Sequence, residues 1–97
     1  MKDDKIFLKL KIGKYEVEVK ENKLVLLADL WYCAYVELPN SSKYSDEALN
    51  FPTFRKGDKV GVDTAHAHNE NMTGAEKLAD ALRQISEIID SYDELEK

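Results

Sequence analysis

The side chains best suited to chemistry in this 97-residue chain lie in one short polar segment. Residues 63–71 read Asp-Thr-Ala-His-Ala-His-Asn-Glu-Asn. Imidazole nitrogens and carboxylate oxygens are ligands that Zn²⁺ and other transition metals use in proteins. Asp63, His66 and His68 would still need a fourth ligand from elsewhere in the chain, or an open position. We therefore expect a hydrogen-bonded loop here, with a metal site as the alternative.

The same residues offer acid–base catalysis, because a carboxylate at Asp63 can fix the tautomer of the His66 imidazole. Such an enzyme would also need a nucleophile. The one thiol, Cys33, lies in an apolar segment, where a small buried hydrophobe is expected. We predict that Asp63 and His66 form one hydrogen-bonded unit and that His68 is more exposed and more dispensable. No cofactor is expected.

Aromatic and basic residues form a second candidate group. Trp31, Tyr35 and Phe54 are side chains that pack in a core, line a pocket or stack on a nucleotide base. Lys56 belongs to the run Arg-Lys-Gly-Asp-Lys at residues 55–59, which forms a solvated turn or meets phosphates. The predicted binding residues are Asp63, His66, Trp31, Tyr35, Phe54 and Lys56.

Composition narrows the class of protein. Fourteen Lys and Arg against nineteen Asp and Glu give a net charge of −5, which argues against general nucleic-acid binding. A single cysteine excludes an internal disulfide and is typical of a reducing cytoplasm. No apolar run approaches the roughly 20 residues that span a bilayer. Residues 1–5 lead directly into a strand-like segment, so we expect no signal peptide and a cytoplasmic location.

The first half of the chain predicts β-structure. Residues 6–12 and 15–20 alternate apolar and charged side chains, and Gly13-Lys14 between them suits a type II′ hairpin turn. Glu21-Asn22-Lys23 is interpreted as a second turn, and Leu24–Leu27 as a short third strand that ends at a break.

Residues 30–38 are apolar on both faces of the strand that they predict. Trp31, Cys33 and Tyr35 would share one face, with alternate residues on the other. A strand of this kind is central between two layers or lies at a subunit interface. We therefore expect a homodimer.

The middle of the chain is irregular. Ser45 can cap one helical turn over residues 45–49. Residues 51–54 should be extended, because Pro52 disfavours the α region at Phe51. The basic run at residues 55–59 is interpreted as a turn that leads into a short strand.

The clearest element is a helix that begins with the capping box Thr73-Gly74-Ala75-Glu76. Its predicted apolar face contains Ala75, Leu78, Ala79, Leu82, Ile85, Ile88, Ile89, Tyr92 and Leu95. Its C-terminal end is acidic, which the helix macrodipole disfavours, with Asp90, Asp93, Glu94 and Glu96. We expect this end to be a frayed, solubilising tail, with mimicry of nucleic acid as the alternative.

These elements predict one α+β domain over residues 1–97, a small antiparallel β-meander of three to five strands with one long C-terminal helix packed on a sheet face. The expected parts are a β-hairpin and central strands (1–38), an irregular insertion (39–59), a short strand and His-containing loop (60–72), and a helix (73–95).

Two blocks of the sequence resemble a family of small uncharacterised proteins of tailed bacteriophages and prophages. They are Leu-Trp-Tyr-Cys-Ala-Tyr-Val-Glu-Leu-Pro at 30–39 and Val-Gly-Val-Asp-Thr-Ala-His at 60–66. The family typically shows Trp-x-Cys-Gly-Tyr-Val ending in Pro, a His-Gly-Gly stretch, and Gly-Phe-Asp-(Cys/Thr)-Ala-His-x-x-Asp, often with a C-terminal helix. Similarity covers roughly residues 30 to 95.

The chain departs from the family pattern at three places. Ala34 stands where the family has Gly, and the His-Gly-Gly stretch is absent around residues 51–57. Asn69 or Glu70 stands where the family has the closing Asp. If the His-Gly-Gly stretch contributes to a site, this protein has lost or rebuilt that site.

The resemblance implies a phage accessory protein in the host cytoplasm rather than a particular reaction. Many such proteins bind host defence or regulatory components. We therefore expect a non-catalytic protein that inhibits or sequesters such a component, either a host protein or a small nucleotide-type ligand. The alternative is a small metal-dependent or acid–base enzyme that uses Asp63, His66 and His68.

Overall fold

A computed structural model describes residues 6–24, 29–64 and 73–97. Within these ranges, five strands form one antiparallel sheet, and one long helix packs on it. The elements are β1 Ile6–Ile12, β2 Tyr15–Leu24, β3 Asp29–Glu37, β4 Phe54–Lys56, β5 Lys59–Asp63 and α1 Gly74–Leu95. The strand order β1-β2-β3-β5-β4 makes β3 the central strand. The predicted α+β fold is confirmed.

The hairpin of β1 and β2 closes at the two-residue turn Gly13-Lys14. Gly13 has φ 63°, a conformation that residues with a Cβ rarely adopt and that a type II′ turn needs at its first central position. On one sheet face, Lys9 forms an ion pair with Glu18 at 3.9 Å (Nζ to Oε2). The hairpin prediction is confirmed.

The turn predicted at Glu21-Asn22-Lys23 is wrong, because β2 continues through these residues. The backbone of β2 pairs with β3 from Val17 opposite Val36 to Leu24 opposite Asp29. Pairing with the central strand therefore overrides the turn preference of Asn22. Leu24 ends β2, and the rest of the predicted third strand lies outside the described residues.

The segment between β3 and β5 completes the core beside the helix. Leu38 and Leu49 are fully buried, and the predicted cap forms, since the Ala48 amide donates to Ser45 Oγ at 3.1 Å. Arg55 holds this segment: its guanidinium donates to Asp46 Oδ1 at 2.7 Å. The same guanidinium donates to the backbone oxygens of residues 41 and 44, at 3.0 Å each.

The turn predicted over residues 55–59 is shorter than expected. Phe54–Lys56 forms the edge strand β4, which pairs with β5, and only Gly57-Asp58 turns. The Asp58 carboxylate accepts the Ser42 amide at 3.2 Å, and hydrogen bonds from the Asn40 and Ser42 amides lower the pKa of Asp58.

Phe51 is not extended as predicted. Its φ is 58°, and Asn50 before it has φ 65°, so two consecutive residues lie in the left-handed region. The chain closes tightly here, because the Phe51 amide donates to the Asp46 carbonyl at 2.7 Å. Pro52 does exclude the right-handed α region, but loop closure selects the left-handed region, which a bulky residue occupies only with strain.

Replacing Phe51 by glycine is expected to raise the free energy of unfolding by about 0.5–1 kcal/mol. Relief of the left-handed strain exceeds the larger chain entropy that glycine brings to the unfolded state. The phenyl ring is 65% exposed, so its loss removes little packing. Urea denaturation of Phe51→Gly and Phe51→Ala measures the effect. Equal stability of the two variants would contradict the assignment of strain to the backbone.

Helix α1 begins as predicted. The Glu76 amide donates to Thr73 Oγ1 at 3.1 Å, and the Thr73 amide donates to Glu76 Oε1 at 2.8 Å, which is a capping box. The buried face of α1 consists of Lys77, Ala81, Ile85, Ile88, Ile89 and Tyr92, with Leu78 and Leu82 partly buried.

The predicted helix face is wrong at Ala75, Ala79 and Leu95, which are exposed. Ala81 and Lys77 are buried instead. Lys77 is tolerated there because its ammonium donates to the Leu30 carbonyl of β3 at 2.6 Å, which satisfies the buried charge in part.

Candidate binding face

The two faces of the sheet differ in what covers them. One face packs on α1 and contains the alternate residues of β3 that are buried, Tyr32, Ala34 and Val36. Side chains directly opposite each other in antiparallel strands share a face, so the register identifies the other side of the sheet. We call it the open face: Lys9, Lys11, Glu16, Glu18, Lys20, Asn22, Trp31, Cys33, Tyr35, Glu37, Phe54, Lys56, Lys59, Gly61 and Asp63.

Apart from Gly61, every residue of the open face retains part of its surface in solvent. Five of the six predicted binding residues lie on it: Trp31, Tyr35, Phe54, Lys56 and Asp63. They come from β3 and from the β4–β5 hairpin, which are well separated in sequence. Adjacency of β3, β5 and β4 brings them together.

The sixth predicted residue, His66, lies outside the described residues, as does His68. The proposed hydrogen-bonded unit of Asp63 and His66 therefore stays a prediction, and so does the alternative metal site. Asp63 itself ends β5 directly opposite Cys33. Within the described ranges, no three His, Cys, Asp or Glu side chains are close enough together to hold a metal ion.

Gly61 positions the Tyr35 ring. A Cβ at residue 61 would lie 2.5 Å from Tyr35 Cδ1 and 2.9 Å from the Ala34 carbonyl oxygen, so the ring occupies the space that a side chain there would need. Phe54 supports the ring from the edge strand, with centroids 5.2 Å apart and an interplanar angle of 82°. This edge-to-face geometry is favourable for aromatic pairs. The sequence reasoning did not identify Gly61.

Two ammonium groups lie close to the Tyr35 ring. Lys59 Nζ is 5.2 Å from the ring centroid, and Lys20 Nζ is 5.6 Å from it. These distances are within the range of cation–π contacts, which contribute about 0.5–1 kcal/mol at exposed sites. The aromatic part of the open face therefore carries positive charge.

Lys56 adds a third cation at the edge. It pairs directly with Lys59 across β4 and β5, so two ammonium groups extend from neighbouring positions on the same face. Neither forms an ion pair with a carboxylate of the described chain. Like charges directly opposite each other destabilise a sheet. The Tyr35 ring and Glu37 favour Lys59 at its position, whereas no described ion pair or ring contact favours Lys56.

Carboxylates occupy the neighbouring part of the open face. A cleft of about 490 Å³ lies beside the aromatic residues. Tyr35 and Lys59 line one part of it, and its lining also includes Glu16, Glu18 and Glu37. Glu37 is directly opposite Lys59, and Glu18 is directly opposite Tyr35. The cationic aromatic side of the open face therefore borders a part of mixed charge, in which Lys9 and Lys11 are opposite Glu18 and Glu16.

Cys33 occupies the middle of the open face and is half-buried. The Asn22 amide group lies 3.4 Å from its sulfur and donates to it. Burial raises the pKa of the Cys33 thiol, so the protonated form dominates at neutral pH. A protonated thiol is a poor nucleophile. The expectation of a small buried hydrophobe is met only in part, because Cys33 is half-buried and accepts a hydrogen bond.

Thr64 anchors the chain where β5 ends. Its amide donates to the Tyr32 carbonyl at 3.0 Å, and its hydroxyl oxygen accepts the Tyr32 amide at 3.0 Å. This buried hydroxyl continues the pairing of β5 with β3 by one residue. The sequence reasoning gave Thr64 no role, although a threonine directly after a strand is suited to it.

A tyrosine cluster anchors the acidic end of α1. Tyr15 donates to Asp93 Oδ1 at 2.9 Å, and Tyr44 donates to a Glu96 carboxylate oxygen. The ring of Tyr92 packs edge-to-face on both Tyr15 and Tyr44. The helix continues to Leu95, so this end is held rather than frayed as expected.

Raising the pH above about 10 is expected to destabilise the protein through this cluster. Burial, followed by the hydrogen bond to Asp93, raises the pKa of Tyr15 from 10.0 to about 12. A pKa raised by folding contributes stability that is complete below the unfolded value and is lost as the pH rises through the folded value. The urea midpoint of the wild-type protein should therefore be lower at pH 11 than at pH 9. The midpoint of Tyr15→Phe should decrease less over the same pH interval. An identical decrease in both proteins would contradict this role of Tyr15.

No helix within the described ranges combines the length and apolar composition needed to cross a membrane. Comparisons of the chain with protein-family models, curated proteins and solved structures find no match. The resemblance to the phage family therefore stays a prediction. A function has to be inferred from the open face itself.

Proposed function

We propose that this protein acts by binding and that the open face is the surface it uses. The observation that supports the proposal most directly is the convergence of Trp31, Tyr35, Phe54, Lys56 and Asp63 on one side of the sheet. Aromatic side chains that remain partly exposed among charged groups are typical of binding surfaces.

The biological setting that we propose follows from the resemblance of residues 30–39 and 60–66 to phage proteins. The protein is a phage accessory protein that acts in the host cytoplasm. It inhibits or sequesters a host defence or regulatory component, which is a host protein or a nucleotide-type ligand.

A homodimer is part of the proposal. Strand β3 presents Trp31 and Cys33 on the side of the sheet opposite the helix, and a second copy would cover these two while leaving Tyr35 and β4 accessible. Sedimentation equilibrium at micromolar concentration should give more than one subunit. A monomer of 11.1 kDa would contradict this part of the proposal.

Enzymatic activity of Asp63, His66 and His68 is the alternative, and one measurement separates it from binding. Metal analysis of the purified protein should find no stoichiometric Zn²⁺. Bound Zn²⁺ that is lost in both His66→Ala and His68→Ala would favour the enzyme instead.

Native mass spectrometry of protein recovered from a bacterial lysate tests the binding proposal. The wild-type protein should carry an added mass, and Phe54→Ser should reduce the occupied fraction about tenfold, because Phe54 is on the open face. Phe7→Ser is the matched control, since Phe7 is 47% exposed but packs on Tyr32, whose ring lies on the covered side.

Two results would contradict the proposal. One is a wild-type protein without an added mass. The other is an equal loss of the added mass in Phe54→Ser and Phe7→Ser, which would mean that the open face has no special role.

A further inference from the structure

The cationic side of the open face contains a small group that we call the aromatic corner: Tyr35, Phe54, Lys56 and Lys59. Gly61 fixes Tyr35 because the ring fills the space above the glycine. Phe54, 36% exposed, meets this ring edge-to-face. A ring that folding already holds in place loses little entropy when a planar ligand stacks on it. The corner is therefore preorganised for stacking.

Lys56 and Lys59 supply the charge. They are directly opposite each other beside the two rings, and neither forms an ion pair with a described carboxylate. The repulsion between them costs stability in the free protein. An anionic group placed between the two ammonium groups would relieve this repulsion and form charge-assisted hydrogen bonds.

We propose that the aromatic corner binds a free nucleotide, with the base stacked on the exposed Phe54 ring, which Tyr35 holds in place, and the phosphates held by Lys56 and Lys59. This inference rests on the proposed function, because it places the ligand on the open face. It goes further by naming the class of ligand. Stacking on aromatic rings contributes about 1–3 kcal/mol per base, so both parts of the ligand matter.

The charges around the corner favour one nucleotide over a nucleic-acid strand. Glu37 is directly opposite Lys59, and Glu18 is directly opposite Tyr35. Glu18 is paired with Lys9, but Glu37 forms no ion pair with a described cation, so a strand that continued past Lys59 would bring its next phosphate to an uncompensated carboxylate that repels it. The site therefore accommodates the phosphates of one nucleotide and excludes those of a longer chain.

Isothermal titration calorimetry of the full chain with ATP as the probe tests the proposal. Inorganic triphosphate and adenosine should each bind at least about tenfold more weakly than ATP. The first has no base to stack, and the second has no phosphates for the lysines. Lys56→Gln and Lys59→Gln should each weaken ATP binding by about tenfold. Phe54→Leu should weaken it as well.

Matched variants separate the site from general charge and from loss of folding. Lys11→Gln also removes one positive charge from the open face, but Lys11 is opposite Glu16 at the far edge and should leave ATP affinity within about twofold. Lys56→Gln should melt at the same temperature as wild type or higher, since it removes a repulsion. If Lys56 had only a structural role, Lys56→Gln would lower the melting temperature and the ATP affinity together.

Three outcomes would overturn the inference. They are no ATP binding at millimolar concentration, an equal loss of affinity in Lys11→Gln and Lys56→Gln, and tighter binding of an eight-nucleotide DNA strand than of ATP. An added mass that depends on Phe54 and belongs to a protein would leave the proposed function standing while this inference fails. The two proposals therefore fail separately.

Discussion

Replacing Ile85 by alanine is expected to lower the free energy of unfolding by about 3 kcal/mol. Ile85 is fully buried at the middle of α1, where the helix meets β3 and β5. Removal of its side chain costs the transfer energy of three carbons and leaves a cavity that a helix packed on a sheet cannot close. For a domain of this size, that is a large part of a total of about 5–15 kcal/mol.

The matched control is Leu82→Ala, which removes the same number of carbon atoms one turn earlier. Leu82 only packs against the edge of the core and remains partly exposed. Its loss should cost less than half as much, because water already contacts part of the side chain. Urea denaturation measures both variants. Equal losses would show that the buried face of α1 is centred on a different row of residues.

Local sequence signals were sufficient for the elements that depend on local contacts. The capping box at Thr73 and the glycine turn at Gly13 are closed by neighbours in sequence, and both form as predicted. The length of β2 was not predictable in this way. Asn22 is in a strand because the central strand β3 pairs with it, and that contact is non-local.

The rotation of α1 shows a second limit. Periodicity identified an apolar stripe, but the alanines in the first two turns lie on both sides of it and do not define its direction. Packing on β3 selected Ala81 over Ala79 and Ala75. The same packing buries Lys77, which the apolar periodicity of the sequence does not include in the buried face.

The residues of the candidate site were predictable from their chemical types, but their positions relative to one another in the fold were not. Trp31, Tyr35, Phe54 and Lys56 were all named from their chemistry. The β4–β5 hairpin is local, but the convergence also depends on the pairing of β5 with β3, which no local pattern specifies. One signal was available for Gly61: an isolated glycine in a strand often marks the close approach of another group.

Replacing Gly61 by alanine is expected to lower the free energy of unfolding by about 2–3 kcal/mol, as overpacking does in a filled site. The new Cβ would lie 2.5 Å from Tyr35 Cδ1 and 2.9 Å from the Ala34 carbonyl oxygen. The ring can rotate away, but the carbonyl belongs to the central strand and can move only with the backbone. Urea denaturation measures the stability, and near-ultraviolet circular dichroism reports the displacement of Tyr35.

Gly57→Ala is the matched control because it adds the same methyl group with no atom within 4 Å. Gly57 has φ 59°, so the cost there is backbone strain of about 1–2 kcal/mol, without an effect on the Tyr35 signal. Gly61→Ala should cost less stability in a Tyr35→Ala background than in the wild type, since the ring that the new methyl group would meet is then absent. Strictly additive losses would mean that Tyr35 does not rest on Gly61. The aromatic corner would then lack the fixed Tyr35 ring that holds Phe54 in place for the proposed ligand.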